Sequence, residues 1–486
     1  MSKLALVPRT DEKLTPHERL EALCDPGSLQ LLRSAVASLR VGDKASPGDG
    51  VIGATGRVDG RPVACYAQDP SFMGGSLGEV HAETICRVLR TAGRARMPVV
   101  GFIESAGARL QEGVAALAGY ARIFNENVAL SGQVPQISVI CGASAGGGSY
   151  SPALTDFVVM TKQASMFLTG PAVVKEVMGQ DVDGQTLGGP RVHERNGVCQ
   201  LVADGDLDAA WLVRDLLDHL PQHAGEQPRR WPSMDPFDGA SDDAVPEQKS
   251  FVYDVRDVVR TLVDGGRLLE VNTKWARNIL TGFARLDGRS VGIVANQPRY
   301  LGGVLDADSA SKGARFVRTC DLYGIPLVVL VDTPGFLPGT GQEKIGVIRH
   351  GAKLVHAFAA ATVPRVTVVL RKAFGGAFIA MNARELGADL VLAWPQAQLG
   401  VMGGKQAVDL VKRKQIAAAD DREQARADFA AEYERDWLSA ETAAREGVVD
   451  ELVEPACTRR RLADALEMLA TAAAERERPV MRNIPL

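Results

Sequence analysis

Two stretches carry adjacent glycines inside runs of small or apolar residues: "CGASAGGGSYSPA" at 141–153 and "RKAFGGAFIAMN" at 371–382. Glycine weakens helices and strands and is kept where backbone must come close to something. Ile137–Cys141 reads as a buried strand and "SYSPALTDFVV" begins like a helix, so the first step falls at a strand-to-helix junction. Free N–H groups there, with the positive end of the helix dipole, favour an anion. A phosphate loop would need G-x-x-x-x-G-K-[ST], which is absent. An oxyanion hole, in which backbone donors stabilise charge developing on a carbonyl oxygen, is the second option. A turn that only lets helix and strand pack closely is the third. "GASAG" (142–146) also fits the nucleophile elbow G-x-S-x-G, with Ser144 as nucleophile. That chemistry needs a downstream histidine; His193, His219, His223, His350 and His356 are candidates, and none is marked out by its surroundings.

The two glycine steps belong to a repeat. "VDGRPVACYAQDPSFMGGSL" (58–77) matches "LDGRSVGIVANQPRYLGGVL" (286–305), with Asp59, Gly60, Arg61, Pro70, Gly74 and Gly75 recurring 228 residues on. "MPVVGFIESAG" (97–107) matches "IPLVVLVDTPG" (325–335) at 228, and "VPQISVICGASAGG" (134–147) matches "VPRVTVVLRKAFGG" (363–376) at 229. A constant offset through several motifs implies a tandem duplication. It also weakens the elbow, because position 144 becomes Ala373 in the second copy while the glycines persist. Within each copy, short apolar runs (Val99–Ile103, Ile137–Cys141, Leu327–Asp332, Val366–Leu370) predict buried strands, followed by glycine turns and helices, an α/β rhythm. The proline-rich stretch 221–250 reads as a linker, and 405–437 as an exposed helical insertion in the second copy.

The chain has 486 residues, too many for one ordinary core, which agrees with two domains. A net charge of -4 argues against a general nucleic-acid binder. Seven scattered cysteines with no C-x-x-C give no zinc ribbon or thioredoxin-type site, and no metal site is expected. The N-terminus lacks the apolar core of a secretory signal and no apolar run has the length of a membrane helix, so a cytoplasmic protein without membrane contact is expected.

At these motifs the sequence resembles the carboxyltransferase (β) subunit of biotin-dependent acyl-CoA carboxylases, the acetyl-CoA/propionyl-CoA carboxylase group. The resemblance rests on "LTPHERLEALCDPGS" near the start, "SAGARLQEG" (105–113), "SAGGGSYSPALTD" (144–156) and "TGPAVVKEVMGQDV" (169–182). In the second half it rests on "NILTGFARLDGRSVGIVANQP", "VDTPGFLPGTGQE", "IRHGAKL", "RKAFGGAFIAMN" and the terminal "NIPL". It implies a tandem pair of crotonase-like (ClpP/crotonase) spiral ββα domains, 1–235 on the acyl-CoA side and 245–486 on the biotin side. It further implies a homohexamer, with each active site between the N-half of one subunit and the C-half of another.

The implied reaction moves a carboxyl group from carboxybiotin to the α-carbon of an acyl-CoA. By resemblance, Gly146 and Gly147 hold the thioester carbonyl, with Gly107 and Ala108 as further donors. Gly376 and Ala377 hold the biotin ureido oxygen, Phe374 and Phe378 flank that hole, and Ile379 lines the acyl pocket. The phenylalanines stand where tyrosines are usual, Ala106 replaces a glycine, and Ala172 an aspartate. The chain has no Met-Lys-Met biotinylation site and no ATP-binding segment. No cofactor is therefore expected to be attached to it, and carboxybiotin should arrive on a biotin carboxylase/biotin carboxyl carrier subunit. By the same resemblance Ile379 implies use of acetyl-CoA with acceptance of propionyl-CoA, the alternative being a subunit of a propionyl-CoA-specific carboxylase or of a transcarboxylase or decarboxylase. The rival of another class is a crotonase-type hydratase or isomerase, for which Glu104 and Glu112 are the available carboxylates, each equally readable as a turn or surface residue.

Overall fold

The computed structural model describes residues 13–236, 244–246, 248, 251–474 and 483. In the first half, β1 (Gln30–Leu32), β2 (Val51–Val58), β3 (Arg61–Gln68), β4 (Val99–Ser105), β5 (Gln136–Ala145), β6 (Phe157–Thr161), β7 (Ser165–Phe167) and β8 (Leu201–Ala203) make one sheet. Its order is β1-β2-β3-β4-β5-β6-β8, with β7 paired to β5. The second half repeats it with β9 (Leu268–Val271), β10 (Ile279–Leu286), β11 (Arg289–Asn296), β12 (Leu327–Thr333), β13 (Arg365–Phe374), β14 (Leu390–Ala393), β15 (Gln398–Gly400) and β16 (Glu451–Leu452). There the order is β9-β10-β11-β12-β13-β14-β16, with β15 on β13. In both sheets the first three strands are antiparallel and every later pairing is parallel. The repeat predicts the duplication, and the two sheets are the tandem crotonase-like pair that the resemblance implies.

The conserved offset has local physical causes. The β2–β3 hairpin turns at Asp59-Gly60 (φ 48° and 80°) and the β10–β11 hairpin at Asp287-Gly288 (φ 51° and 73°), the left-handed pair of a two-residue turn. The four apolar runs predicted as strands are buried throughout, as expected where helices cover a parallel sheet. "SYSPALTDFVV" begins as a helix, as expected: it enters the helix Gly147–Ala153, and Phe157 then opens β6. The stretch 405–437 is helical and mostly exposed, as expected of an insertion: the β15–β16 connection, with helices Gly404–Val411, Arg413–Ala418, Arg422–Tyr433 and Ala440–Arg445, is longer than the β7–β8 connection, with Pro171–Met178, Gly184–Gly188 and Pro190–Asn196.

The halves share a core. One apolar cluster includes Phe157, Leu201 and Leu216 from the first and Phe283, Phe316 and Leu327 from the second, with the Phe157 and Phe283 rings edge to face at 5.9 Å. Backbone joins them too, through Asn272 N–H to Gln200 O at 2.9 Å. Residues 221–236 have no helix or strand, as a linker predicts, but they are pinned to the second half by Trp231 N–H on Gly288 O and by Arg230 on Asp287. Of that stretch, 237–243, 247 and 249–250 lie outside the described residues, as do the first twelve residues and Ile484–Leu486 of the terminal motif.

Candidate active site

β5 ends at Ala145 and Gly146 then takes φ 59°, ψ -125°, a left-handed conformation that favours glycine. The helix Gly147–Ala153 starts at once. In the second half β13 ends at Phe374, Gly375 again takes φ 59°, and the helix runs Gly375–Ala380. The strand register explains why both turns lie alike: β7 pairs Phe167 with Ala145, and β15 pairs Gly400 with Phe374. The first N–H groups of a helix lack intrahelical acceptors, so each turn aims backbone donors outward.

The donors differ from those expected in the first copy. Gly146 N–H is engaged by Phe167 O at 3.0 Å, so Gly146 supplies the bend and not a donor. The positions equivalent to Gly376 and Ala377 are Gly147 and Gly148. Gly376 is exposed and nothing lies within 4 Å of where its Cβ would stand, whereas Ala377 is buried. Gly147 is half-buried, and a Cβ there would lie 2.7 Å from the Tyr120 ring.

A second loop closes on the first turn. Gly107 has φ 100°, and a Cβ on it would come within 3.3 Å of Ala145 O. Gly107 O accepts from Leu77 N–H (2.8 Å), Leu77 O accepts from Arg109 N–H (2.9 Å), and Gly107 N–H donates to Ser105 Oγ (3.2 Å). Gly107 therefore lies against the end of β5 at Ala145, and its N–H, like that of Gly146, is already engaged. The second copy repeats the pattern at Leu305, Gly335 and Leu337, with Gly335 N–H on Thr333 Oγ1 at 3.3 Å. Gly335 and Phe336 were missed as candidates, although the offset of 228 from Gly107 and Ala108 points to them.

Around the second turn, Phe374 is buried, with its ring 3.6 Å from where a Gly403 Cβ would stand. Phe378 is half-buried and Ile379 is 52% exposed. Ser144 is fully buried and its hydroxyl donates to Gly148 O at 2.9 Å. No histidine stands beside it among the described contacts: His193 meets Met166 O, His219 meets Ser290 and His350 meets Ser311. Ser144 braces the turn, and the elbow reading falls.

The carboxylates of the hydratase reading are not surface residues, although Glu112 does lie in a short turn, Leu110–Glu112. Glu104 is buried against Arg19 (2.9 Å) and also pairs with Lys13. Glu112 is buried against Arg109 at 2.8 Å and accepts from Glu79 N–H. Burial opposes ionisation of Glu112, but the Glu79 N–H and the Arg109 guanidinium outweigh it, so its pKa is lowered. Both acids are committed to ion pairs: Glu104 ties β4 to the helix Pro16–Leu23, and Glu112 holds the loop at Arg109. In the second copy Asp332 replaces Glu104 and is held by Arg371 Nε (3.0 Å) and the Tyr253 hydroxyl (2.9 Å). Burial raises the Asp332 pKa despite Arg371. Among the described residues no cluster of His, Cys, Asp or Glu is arranged to hold a metal, and no helix is long and apolar enough to cross a membrane.

The whole chain has known relatives. It is 46% identical, over 97% of its length and 92% of the relative's, to the methylmalonyl-CoA carboxyltransferase 12S subunit of Propionibacterium freudenreichii subsp. shermanii. It is 43% identical, over 98% and 90%, to the biotin-dependent acetyl-/propionyl-coenzyme A carboxylase beta5 subunit of Mycobacterium tuberculosis. Among solved structures, the transcarboxylase 12S hexamer with methylmalonyl-coenzyme A and methylmalonic acid bound matches with a TM-score of 0.92 at 46% identity, covering 98% of this chain and 92% of that one. The carboxyl transferase domain model matches residues 9–484. A duplicated fold that presents two backbone donor turns, with that match along nearly its entire length, makes this chain a member of the carboxyl transferase domain family.

Proposed function

We infer that this chain is the carboxyltransferase subunit of an acyl-CoA carboxylase. It carboxylates acetyl-CoA to malonyl-CoA, for lipid or polyketide synthesis, and propionyl-CoA to methylmalonyl-CoA. One observation carries the reading: two equivalent backbone turns with the same φ of 59°, each presenting helix-start donors, in a reaction that develops two oxyanions. Residues 1–235 form the acyl-CoA side, where Gly147 and Gly148, with Ala108 alongside, receive the thioester oxygen as the enolate forms, while Gly107, its N–H held by Ser105 Oγ, shapes the neighbouring loop. Residues 245–486 form the biotin side, where Gly376 and Ala377 receive the ureido oxygen between Phe374 and Phe378, and Ile379 faces the acyl pocket. The open space at Gly376 suits a bicyclic ring brought in on a carrier. Carboxybiotin on the partner subunit supplies the carboxyl group and, once this has left, a ring nitrogen that takes the α-proton. That is why no acid–base pair on this chain is needed. Each donor is worth about 10²–10³ in rate when aimed at developing charge.

Each copy also exposes large apolar side chains on the segments flanking its turn: Val114, Leu168 and Val177 in the first, Ile348, Val401 and Leu410 in the second. Such surfaces mark interfaces. They support a homohexamer in which the first copy of one subunit faces the second copy of another, so that the two oxyanion turns meet. Six buried free thiols fit a cytoplasmic location.

The test is bicarbonate-dependent carboxylation with the cognate biotinylated subunit and a panel of acyl-CoAs. Malonyl-CoA and methylmalonyl-CoA should form only when that subunit is present, and an avidin blot of this chain should be blank. Turnover of an acyl-CoA without biotin or bicarbonate would sink the assignment in favour of the hydratase class.

A further inference from the structure

Position 150 in the first copy and position 379 in the second are the same place, 229 residues apart. Each lies three residues beyond the second glycine of its turn, on the short helix that carries the donors. Tyr150 is 53% exposed and Ile379 52%. A large side chain left half in solvent at the same point of both copies, beside hydrogen-bond donors, is placed to meet a bound molecule. Tyr150 also ends a row of aromatic rings. Its ring meets Phe124 edge-on at 6.1 Å, Phe124 lies 6.0 Å from Tyr120, and the Tyr120 ring abuts Gly147. The aromatic wall therefore runs without a break from the donor turn to the exposed ring.

We propose that Tyr150 is a specificity-determining residue for the acyl group, closing the acyl slot from the copy that binds the thioester carbonyl while Ile379 faces it from the other copy. The inference rests on the reading that the first turn holds the thioester. A carbonyl oxygen on Gly147 and Gly148 N–H groups brings its own substituent to the same helix turn, where Tyr150 stands. An aromatic ring at the end of this row takes up space that added methylenes would need, so it limits chain length by volume. Its hydroxyl is not required for this.

The experiment uses the full chain with its biotinylated partner. It compares kcat/KM for acetyl-, propionyl- and butyryl-CoA in wild type, Tyr150→Phe, Tyr150→Leu, Tyr150→Ala and Ile379→Asp. Tyr150→Ala should raise the butyryl-to-acetyl ratio about tenfold, the scale on which pocket volume discriminates methylenes. Tyr150→Leu should raise it less, and Tyr150→Phe should leave it within about twofold because the ring is kept. An unchanged ratio in Tyr150→Ala, with Ile379→Asp moving it, would overturn the proposal. So would equal loss with all three thioesters together with a lower mass by light scattering, the behaviour of a subunit-contact residue. Failure of the underlying reading shows separately, as a wild-type enzyme that carboxylates none of the three.

Discussion

The two glycine turns share a backbone and differ in everything around it. Both bend at a glycine with φ 59° at the end of a parallel strand and both lead into a short helix. The first is roofed by the Tyr120 ring and braced by Ser144 and Ser149 hydroxyls on Gly148 O, Ser144 O and Phe167 O. The second is open at Gly376 and has Ala373 and Ala377 in place of Ser144 and Gly148. The pattern extends beneath them. Glu104 fills the space left by Gly142, where a Cβ would lie 2.2 Å from its carboxylate, whereas the shorter Asp332 is matched by Arg371 at the position of Gly142. Duplication has kept the backbone device and let the packing diverge, which is what two different oxyanions on one fold would require.

The largest test of that equivalence deletes a donor from either turn. Ala377→Pro and Gly148→Pro each remove one N–H, and each should lower kcat for carboxyl transfer by about 10²–10³. Circular dichroism and light scattering check that fold and assembly survive. A variant that kept wild-type kcat would show that its turn is structural, and the two-hole comparison would fail.

The next test separates the turns by crowding. Gly147→Ala pushes a methyl into the Tyr120 ring, 2.7 Å away, and should destabilise by about 1–3 kcal/mol, the cost of overpacking. Gly376→Ala meets open space and should leave the melting temperature unchanged. Equal effects would mean that the roof over the first turn yields easily.

Acid should distinguish the copies as well. His81 is buried in the first copy, and burial, with the nearby Arg109 charge, pushes its pKa down to about 3. His219, also on a first-half helix, is likewise pushed down to about 3 by burial and Arg285. The second-copy equivalent of His81 is Ser309. Below the unfolded value of about 6.5, the unfolded chain binds protons that the native chain refuses, so stability falls with falling pH until about pH 3. At pH 5 each histidine should cost about 2 kcal/mol. Hydrogen exchange at pH 7.5 and 5.0 should show first-copy amides losing protection first, and His81→Gln should reduce that loss. Uniform loss in both copies would contradict it.

Much of this was legible in the sequence because it is local or repeated. The offsets exposed the duplication, Asp-Gly marked both hairpins, and apolar runs marked the parallel strands. What escaped depends on distant partners. Nothing near Gly146 reveals that its N–H is taken by Phe167 O, which shifts the donor pair by one residue. Glu104 and Glu112 look like solvent residues until Arg19 and Arg109 fold against them.

The smallest expected effect tests the divergence itself. A Cβ on Gly148 would lie 3.1 Å from Ser144 Oγ, a contact in which one partner must give. The second copy has alanine at both equivalent positions, 373 and 377. Serine with glycine and alanine with alanine are therefore alternative ways to fill the same space. Ser144→Ala alone removes a buried hydrogen bond to Gly148 O and should cost about 1 kcal/mol, with activity within about tenfold of wild type. Gly148→Ala alone should also destabilise, by crowding the hydroxyl. The double variant recreates the second-copy pair and should be more stable than the sum of the singles predicts, with a coupling of about 0.5–3 kcal/mol in a thermal-melt cycle. Strict additivity would mean that the two substitutions arose independently and that the turns diverged without compensation. A positive coupling would show that the first turn can still be converted, one contact at a time, into its duplicate.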